Sequence, residues 1–269
     1  MRALLLLMSA VLLAVSGAPA RAALAPPNAA GLTFGHVHIN VTDVAAHNRF
    51  WSQYFGGAPF RHRSQAGVKF PGLLLLMNVQ APTAPSQGAA MDHFGFKVPS
   101  LEATSAALKA AGFEVSTPFT GMEGFPNAYA VGPDGVRVEM QEDKTLNRAA
   151  VAHHVHFIIP DNEPLLAWYI DTFGLERFAR GRLLTTANAP GMNLSFGVAR
   201  APAAPTAGRA IDHIGFEFKD LAAEVRALQA RGVKLDGLIT RARGTGVKSA
   251  FLTDPAGVRI ELTQGLAAY

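Results

Sequence analysis

The sequence predicts an α+β fold assembled from four copies of one β-α-β-β-β module. Three observations support this prediction: a short strand beginning with His recurs four times, a helix follows each copy, and the second half of the chain repeats the first. The recurring residues are His36, His93, His154 and His213. Their spacings of 57, 61 and 59 residues are nearly constant, so each His marks the start of one module.

A longer repeat relates the two halves of the chain. "HVHINVTD" at 36–43 resembles "HVHFIIPD" at 154–161, and "MDHFGFKV" at 91–98 resembles "IDHIGFEF" at 211–218. We therefore predict two domains, numbering their modules 1 to 4 in chain order: 32–145, with modules 32–80 and 91–143, and 150–265, with modules 151–199 and 211–264.

Local signals mark the elements inside each module. Side chains that accept hydrogen bonds from free N–H groups stand where each helix should begin. They are Asp43, Ser100, Asp161 and Asp220. In modules 2 and 4, "GPDG" and "DPAG" predict tight turns into the last strand. Linkers rich in Ala and Pro, at 81–90 and 201–210, are expected to be extended connectors.

The first 22 residues, "MRALLLLMSAVLLAVSGAPARA", have the features of a signal peptide. One Arg precedes an apolar run, and small residues end the segment in A-x-A form. The alternative is an uncleaved membrane anchor, but a bilayer span needs about 20 apolar residues and this run is shorter. The sequence therefore predicts a periplasmic or secreted protein with no stable membrane insertion after cleavage.

Composition restricts the class of function. Hydrophobic residues make up 49% of the chain, which suffices for a packed core. The formal charge of +4 would fall to +2 without Arg2 and Arg21, so no nucleic-acid partner is expected. The chain has no Cys, which excludes disulfides and thiolate chemistry. Any metal must therefore be bound by His and carboxylate side chains.

Alternation along the strands predicts a polar concave face. Side chains of a strand point alternately to the two sides of a sheet, and the apolar set should pack on the helices. The polar set then includes the leading His residues, a His two positions further on in modules 1 and 3, and a Glu in the last strands. These residues are His36, His38, His93, His154, His156, His213, Glu139 and Glu261.

If consecutive modules share a cleft, each cleft contains two leading His residues and one Glu. The expected sets are His36, His93 and Glu139, and His154, His213 and Glu261. Two imidazoles and one carboxylate suit a divalent ion such as Fe, Mn, Zn or Ni, with positions left open for substrate. The alternative is that these are polar sheet residues that only form hydrogen bonds.

These motifs resemble the vicinal oxygen chelate family, which includes glyoxalase I, bleomycin-resistance proteins and extradiol dioxygenases. The most specific pieces are "DHFGFKV", "DHIGFEF", "GPDGVRVEM" and "DPAGVRIEL". The resemblance implies four βαβββ modules paired into two glyoxalase/dioxygenase-like domains, each with a U-shaped mixed sheet around one metal. It implies the same six ligands, taken from first and last strands.

The departures from the family pattern narrow the implied chemistry. Glyoxalase I usually supplies a further Glu from the last strand of its first module, and neither 72–79 nor 191–198 contains a carboxylate. Extradiol dioxygenases have a Tyr ten residues before the Glu ligand, which matches Tyr129 and Glu139, whereas Phe251 takes that place before Glu261. The His that such enzymes have upstream of the Tyr is missing here.

The sequence therefore predicts a metal-dependent enzyme for a small-molecule substrate with vicinal oxygens, either an extradiol-type dioxygenase or a glyoxalase-like lyase/isomerase. Tyr129, His38 and His156 are the candidate catalytic residues, as proton donors, acid/base groups or groups that orient substrate. Packing for Tyr129 and a supporting hydrogen bond for either His are the alternatives. The alternative function is a metal-independent small-molecule-binding protein of the bleomycin-resistance kind.

Overall fold

The computed structural model describes residues 24–242, 244–266 and 269. The predicted signal peptide at 1–22 lies outside the described residues. Along the described chain, no helix combines the length and the apolar character needed to cross a bilayer.

Each module contains a leading strand, a helix and further strands, as predicted. Module 1 contains β1 (Leu32–Val41), α1 (Val44–Phe55), β2 (Ala58–His62), β3 (Gln65–Phe70) and β4 (Leu73–Val79). Module 4 contains β14 (Ile211–Phe218), α4 (Leu221–Ala230), β15 (Thr240–Arg241), β16 (Lys248–Thr253) and β17 (Arg259–Gln264). Module 2 contains β5 (Met91–Val98), α2 (Leu101–Ala110), β6 (Glu114–Val115), β7 (Phe119–Thr120), β8 (Pro126–Val131) and β9 (Arg137–Glu142). Module 3 contains β10 (Val151–Ile159), α3 (Asn162–Phe173), β11 (Glu176–Arg177), β12 (Thr186–Ala189) and β13 (Met192–Val198).

The strands form two mixed sheets, which confirms the predicted α+β class. One sheet has the order β15-β16-β17-β14-β1-β4-β3-β2 and joins modules 4 and 1. The other has the order β11-β12-β13-β10-β5-β9-β8-β6 and joins modules 3 and 2. We call them the outer-module sheet and the inner-module sheet, after the order of their modules in the chain.

The pairing of modules differs from the sequence prediction, in which consecutive modules share a cleft. Strand β1 lies antiparallel to β14, with His38 opposite His213, and β5 lies antiparallel to β10, with His93 opposite His156. All four leading strands have the same alternation, so the sequence pattern fits either pairing equally well. The predicted domain limits, 32–145 and 150–265, describe the two halves of the sequence repeat and stay a prediction.

The linkers show how the chain passes between the sheets. They pair with each other, since Ala90 N donates to Ala204 O and Ala204 N donates to Gly88 O. Ala210 N likewise donates to the carbonyl of Ala84 in the other linker. The two connectors therefore cross side by side, which brings module 1 next to module 4 and module 2 next to module 3.

Consecutive modules share a core rather than a sheet. Helix α1 of module 1 packs on β5 of module 2, where the ring of Trp51 lies 5.5 Å from that of Phe94. In the second half, the ring of Phe173 at the end of α3 lies 4.6 Å from that of Phe216 on β14. All four rings are buried. Such aromatic pairs bury large apolar areas and stabilise the contact between the two sheets.

The predicted caps are present on three of the four helices. Asp43, Ser100 and Asp220 accept hydrogen bonds from N–H groups in the first turns of α1, α2 and α4. Asp161 stands in the same place before α3, but its side chain makes no capping hydrogen bond.

His47 on α1 is fully buried. Its Nε2 lies 3.0 Å from Asp134 Oδ2 in the last turn of module 2, and Trp51 Nε1 donates to its Nδ1. Asp134 also accepts hydrogen bonds from the backbone N–H and the hydroxyl of Thr42. This network links α1 of module 1 to module 2.

We expect Asp134→Ala to destabilise the fold by about 1–3 kcal/mol, because it leaves the buried His47 Nε2 without a partner. Asp161→Ala is the matched control: it removes an Asp at a helix start that makes no capping bond, and should change stability by less than about 0.5 kcal/mol. Denaturant unfolding measures both values. Equal effects would show that the network contributes nothing beyond an ordinary surface Asp.

Two candidate metal centres

All eight predicted polar residues lie in two buried clusters, one on each sheet. The outer cluster, on the outer-module sheet, contains His36, His38, His213 and Glu261. The inner cluster, on the inner-module sheet, contains His93, Glu139, His154 and His156. Within each cluster, one nitrogen or oxygen atom from each residue lies within 4.8 Å of the others.

The predicted grouping of the ligands is therefore corrected. His36 does not join His93 and Glu139, because β1 pairs with β14 and not with β5. His36 and His154 have exchanged places between the two predicted sets. Each cluster still contains two leading His residues and one Glu, so the composition of the sets is as expected and only their membership differs.

The inner cluster converges on one carboxylate oxygen. Glu139 Oε2 lies 2.9 Å from His93 Nε2, 3.4 Å from His154 Nε2 and 3.9 Å from His156 Nδ1. Asn127 donates a hydrogen bond to the other oxygen of Glu139. Although burial opposes ionisation, the neighbouring imidazoles, His154 foremost, hold the pKa of Glu139 well below its ordinary value. The carboxylate is therefore charged at neutral pH.

Two buried nitrogens of the inner cluster have no hydrogen-bond partner among the described residues. They are His154 Nε2 and His156 Nδ1. Burial lowers the pKa of His154 well below its ordinary value and that of His156 to about 4, so both rings are neutral. A neutral imidazole is the form that binds metals. This donor set, nitrogen lone pairs beside a charged carboxylate, fits a divalent ion.

His93 is held in the orientation that a metal ligand needs. Its Nδ1 lies 2.8 Å from Asp92 Oδ1, and with an ion bound, donation by Nδ1–H to Asp92 would leave the Nε2 lone pair free to bind that ion. Burial opposes ionisation of Asp92, but the hydrogen bond and charge of His93, the Gly88 N–H and the charge of Arg137 together outweigh it and lower the pKa of Asp92 to about 2. Asp92 also accepts from Gly88 N and Arg137 Nη1.

The outer cluster has a similar arrangement. Glu261 Oε2 lies 3.0 Å from His36 Nε2 and 3.2 Å from His213 Nε2, and His38 Nδ1 lies 3.0 Å from His213 Nε2. His213 is oriented by Asp212, as His93 is by Asp92. Within the described chain, His36 Nδ1 has no hydrogen-bond partner, and His36 Nε2 lies close to Glu261 Oε2 without the alignment of a hydrogen bond.

A glycine makes room for one imidazole in each cluster. His36 lies opposite Gly215 and His154 lies opposite Gly95 on the antiparallel neighbouring strand. A Cβ atom at Gly95 would overlap the ring of His154, and one at Gly215 would overlap the ring of His36. Each of the motifs "DHFGF" and "DHIGF" therefore supplies one His ligand and, through its Gly, the space for the His ligand on the neighbouring strand.

The two clusters differ in their aromatic neighbour. The ring of Tyr129 lies 5.0 Å from that of His93, under the guanidinium of Arg137, while Phe251 and Arg259 occupy the matching places beside His213. Burial raises the pKa of Tyr129, so its phenol stays neutral and keeps a proton to donate.

The surfaces beside the clusters also differ. On β4, Leu74 and Leu76 lie in register with His36 and His38 and therefore share their face of the outer-module sheet. Leu266 and Tyr269 are buried against these leucines. On β13, Asn193 and Ser195 take the same register beside His154 and His156. The surface beside the outer cluster is therefore apolar and packed against the chain's C-terminal residues, and the surface beside the inner cluster is polar.

Sequence reasoning missed several residues that hold the sites in place. Asp92 and Asp212 had a usable signal, because Asp directly precedes His in both "DH" motifs. Asn127 and Arg180, which approach the inner cluster from β8 and from the loop after β11, had none. His153 also lies beside the inner cluster, with its Nδ1 3.2 Å from His154 Nδ1.

Paired βαβββ modules with a His/Glu cluster on each sheet define a protein of the glyoxalase-like class. The family model described as the Glyoxalase/Bleomycin resistance protein/Dioxygenase superfamily matches residues 33–140 and 151–262. These two matches span most of the chain, and the chain belongs to this superfamily.

Solved structures share the whole fold at low sequence identity. Glyoxalase I from Zea mays superposes with a TM-score of 0.64 and 16% identity, covering 88% of this chain and 94% of that chain. A putative dioxygenase from Bacillus subtilis superposes with a TM-score of 0.62 and 13% identity, covering 87% of each chain. No curated protein matches this chain. At these identities the likeness shows the fold alone.

Proposed function

We propose that this protein is a metal-dependent enzyme acting on a small substrate with vicinal oxygens, and that the inner cluster is its active site. The observation that supports this most is the convergence of three imidazole nitrogens on Glu139 Oε2, two of them without hydrogen-bond partners among the described residues. A buried, unpartnered nitrogen is costly, and a bound cation would remove that cost.

His93, His154 and Glu139 would hold the ion, with His156 as a fourth donor. A divalent ion in such a site acts as a Lewis acid on substrate oxygens and lowers the pKa of a bound hydroxyl. The identity of the ion, among Fe, Mn, Zn and Ni, follows from measurement and not from the donor set. In the outer cluster, His36, His213 and Glu261 would hold a second ion, with His38 as the fourth donor.

The surrounding side chains would orient the substrate and move protons. The neutral phenol of Tyr129 is suited to donate a hydrogen bond to a substrate oxygen beside His93. Asn127 fixes the orientation of Glu139 through its second oxygen. His156, whose lowered pKa of about 4 keeps its ring neutral, would accept a hydrogen bond from a substrate hydroxyl when it is not bound to the ion.

The inner cluster is favoured over the outer one by its cleft. Leu266 and Tyr269 pack on the leucines that neighbour His36 and His38, and Phe251 beside His213 has no proton to donate. In the outer cluster we therefore propose metal binding without turnover, where His38 is a fourth metal donor and not a catalytic group.

The reaction we propose is ring cleavage of the extradiol type, with glyoxalase-like lyase or isomerase chemistry as the second candidate. Tyr129, ten residues before Glu139, supports the first. The second would need another carboxylate to move a proton between carbons, and neither β4 nor β13 supplies one.

A metal-independent binding protein is the alternative function. Direct contacts favour it: His93 Nε2 lies 2.9 Å from Glu139 Oε2 and His213 Nε2 lies 3.2 Å from Glu261 Oε2, so the carboxylates have partners without an ion.

Metal analysis of the purified protein, combined with a catechol panel, tests this proposal. We expect at least one Fe, Mn, Zn or Ni ion per chain, oxygen uptake with a catechol, and loss of turnover after chelation. Turnover of a hemithioacetal without oxygen uptake would favour the isomerase instead. A metal-free protein that binds small molecules unchanged after chelation would establish the binding-protein function.

We also propose that residues 1–22 are a signal peptide and that the protein is periplasmic or secreted. The support is the short apolar run and the small residues before Ala22. N-terminal sequencing of protein recovered from an exporting host is expected to start at Ala23. Recovery of the exported protein with Met1 retained would contradict the proposal.

A further inference from the structure

Arg180 is a buried cation beside a cavity of about 570 Å³. The side chain comes from the loop between β11 and β12 and is only 6% exposed. Glu123, His153 and Asn193 line the same cavity. Asn193 lies opposite His154 in the inner-module sheet, so the cavity opens next to the inner cluster.

Only one nitrogen of this guanidinium is engaged within the described chain. Arg180 Nη1 donates to Glu123 Oε2 at 3.1 Å, and it lies 3.4 Å from the Nδ1 atoms of both His153 and His154. Among the described residues, no hydrogen bond involves Nη2, and Nε is buried without a partner. The edge formed by Nε and Nη2 is therefore unused.

The unused edge is the one that recognises a carboxylate. Nε–H and Nη2–H point in parallel, and they match the two oxygens of a carboxylate in two charge-assisted hydrogen bonds. Glu123 already offsets the positive charge of Arg180, and Glu176 adds a second carboxylate to the cavity wall. Recognition therefore depends on the direction of these two N–H groups and not on a net positive potential.

The position of Arg180 links this edge to the proposed active site. Its Nη1 lies 3.4 Å from His154 Nδ1, and the other nitrogen of the same ring faces Glu139 at 3.4 Å. Arg180 therefore both lines the cavity and approaches His154 of the inner cluster.

We propose that Arg180 binds the carboxylate of a substrate whose vicinal oxygens lie at the inner cluster, which assigns the substrate class as aromatic or aliphatic carboxylic acids with adjacent oxygens. Only the part of this inference that places the vicinal oxygens at the inner cluster rests on the proposed function. The contact between Arg180 and the carboxylate needs no metal and can be measured without turnover.

The test compares 3,4-dihydroxybenzoate with its methyl ester, which has the same diol and lacks the charged carboxylate. Dissociation constants are measured by calorimetry on the mature protein, without residues 1–22, after its metal has been removed. Because a hydrogen-bonded charge pair is worth a factor of about 10 or more, we expect the wild type to bind the acid at least about 10-fold more tightly than the ester. Arg180→Gln should bring the ratio below about 3-fold.

Two further variants distinguish the effect of the Nε/Nη2 edge from the effect of positive charge alone and from a general effect of replacing an Arg in this loop. Arg180→Lys keeps the charge without the fork and should give an intermediate ratio. Arg177→Gln removes a neighbouring Arg that is paired with Glu163 on the surface and should leave the ratio unchanged.

Equal binding of acid and ester by the wild type would overturn the proposal, and this measurement does not depend on any variant folding. An unchanged ratio in a folded Arg180→Gln protein would overturn it as well. Tighter binding of phenyl phosphate than of the acid would overturn the assignment to carboxylates. A clear acid preference in a protein that never turns over a substrate would support Arg180 as the carboxylate site and contradict the proposed enzyme.

Discussion

Glu139→Ala is expected to empty the inner cluster of metal and to abolish turnover, while Glu261→Ala leaves turnover intact. Glu139 is the one carboxylate among the four residues of the inner cluster. Without it, three neutral imidazoles would face a divalent ion with no negative charge to offset it. Changes to groups that merely support ligands cost 10- to 100-fold in metal affinity, so loss of this ligand should cost more than about 100-fold.

The measurement is metal content per chain together with turnover of the catechol panel, for both variants side by side. Each variant is the control for the other, because the two Glu residues occupy equivalent places in the last strands of modules 2 and 4. Loss of turnover in Glu261→Ala, with activity retained in Glu139→Ala, would move the active site to the outer cluster. A wild type that carries no metal would favour the binding-protein function.

Gly95→Ala is expected to displace His154 and to weaken metal binding at the inner cluster while the fold persists. A Cβ atom at this position would lie 2.9 Å from His154 Nε2 and would overlap the rest of the ring. His154 is buried, so the ring has little room to yield. Overpacking of this kind costs about 1–3 kcal/mol of stability, which is less than the stability of most domains.

Gly215→Ala is the matched variant, since the added methyl group would overlap the ring of His36 in the outer cluster. We expect each variant to lose metal from its own cluster only, and turnover to fall in Gly95→Ala alone. Metal analysis, turnover and thermal unfolding of both proteins provide the readout. Full metal content in Gly95→Ala would show that His154 is not a ligand.

The sequence alone determined the module, the helix starts and the identity of the metal-ligand candidates. These follow from short-range rules: strands alternate their side chains, Asp43 and Ser100 can cap helices, and the Glu of "VRVEM" must share a face with Arg137. Such rules act within one strand or one turn, so they hold whichever module lies alongside. The family resemblance rested on the same local motifs and was confirmed.

Tertiary structure alone decided which modules pair, and with that which His joins which Glu. His36 and His154 stand at equivalent positions in two nearly identical strands, so alternation cannot distinguish β14 from β5 as the partner of β1. That choice depends on the shared core, where Trp51 packs on Phe94, and on the two linkers that cross side by side. Arg180 likewise meets His154 only in the folded chain, where the loop after β11 comes next to β10. No periodic sequence pattern relates two residues from such different elements, so this contact could not be predicted.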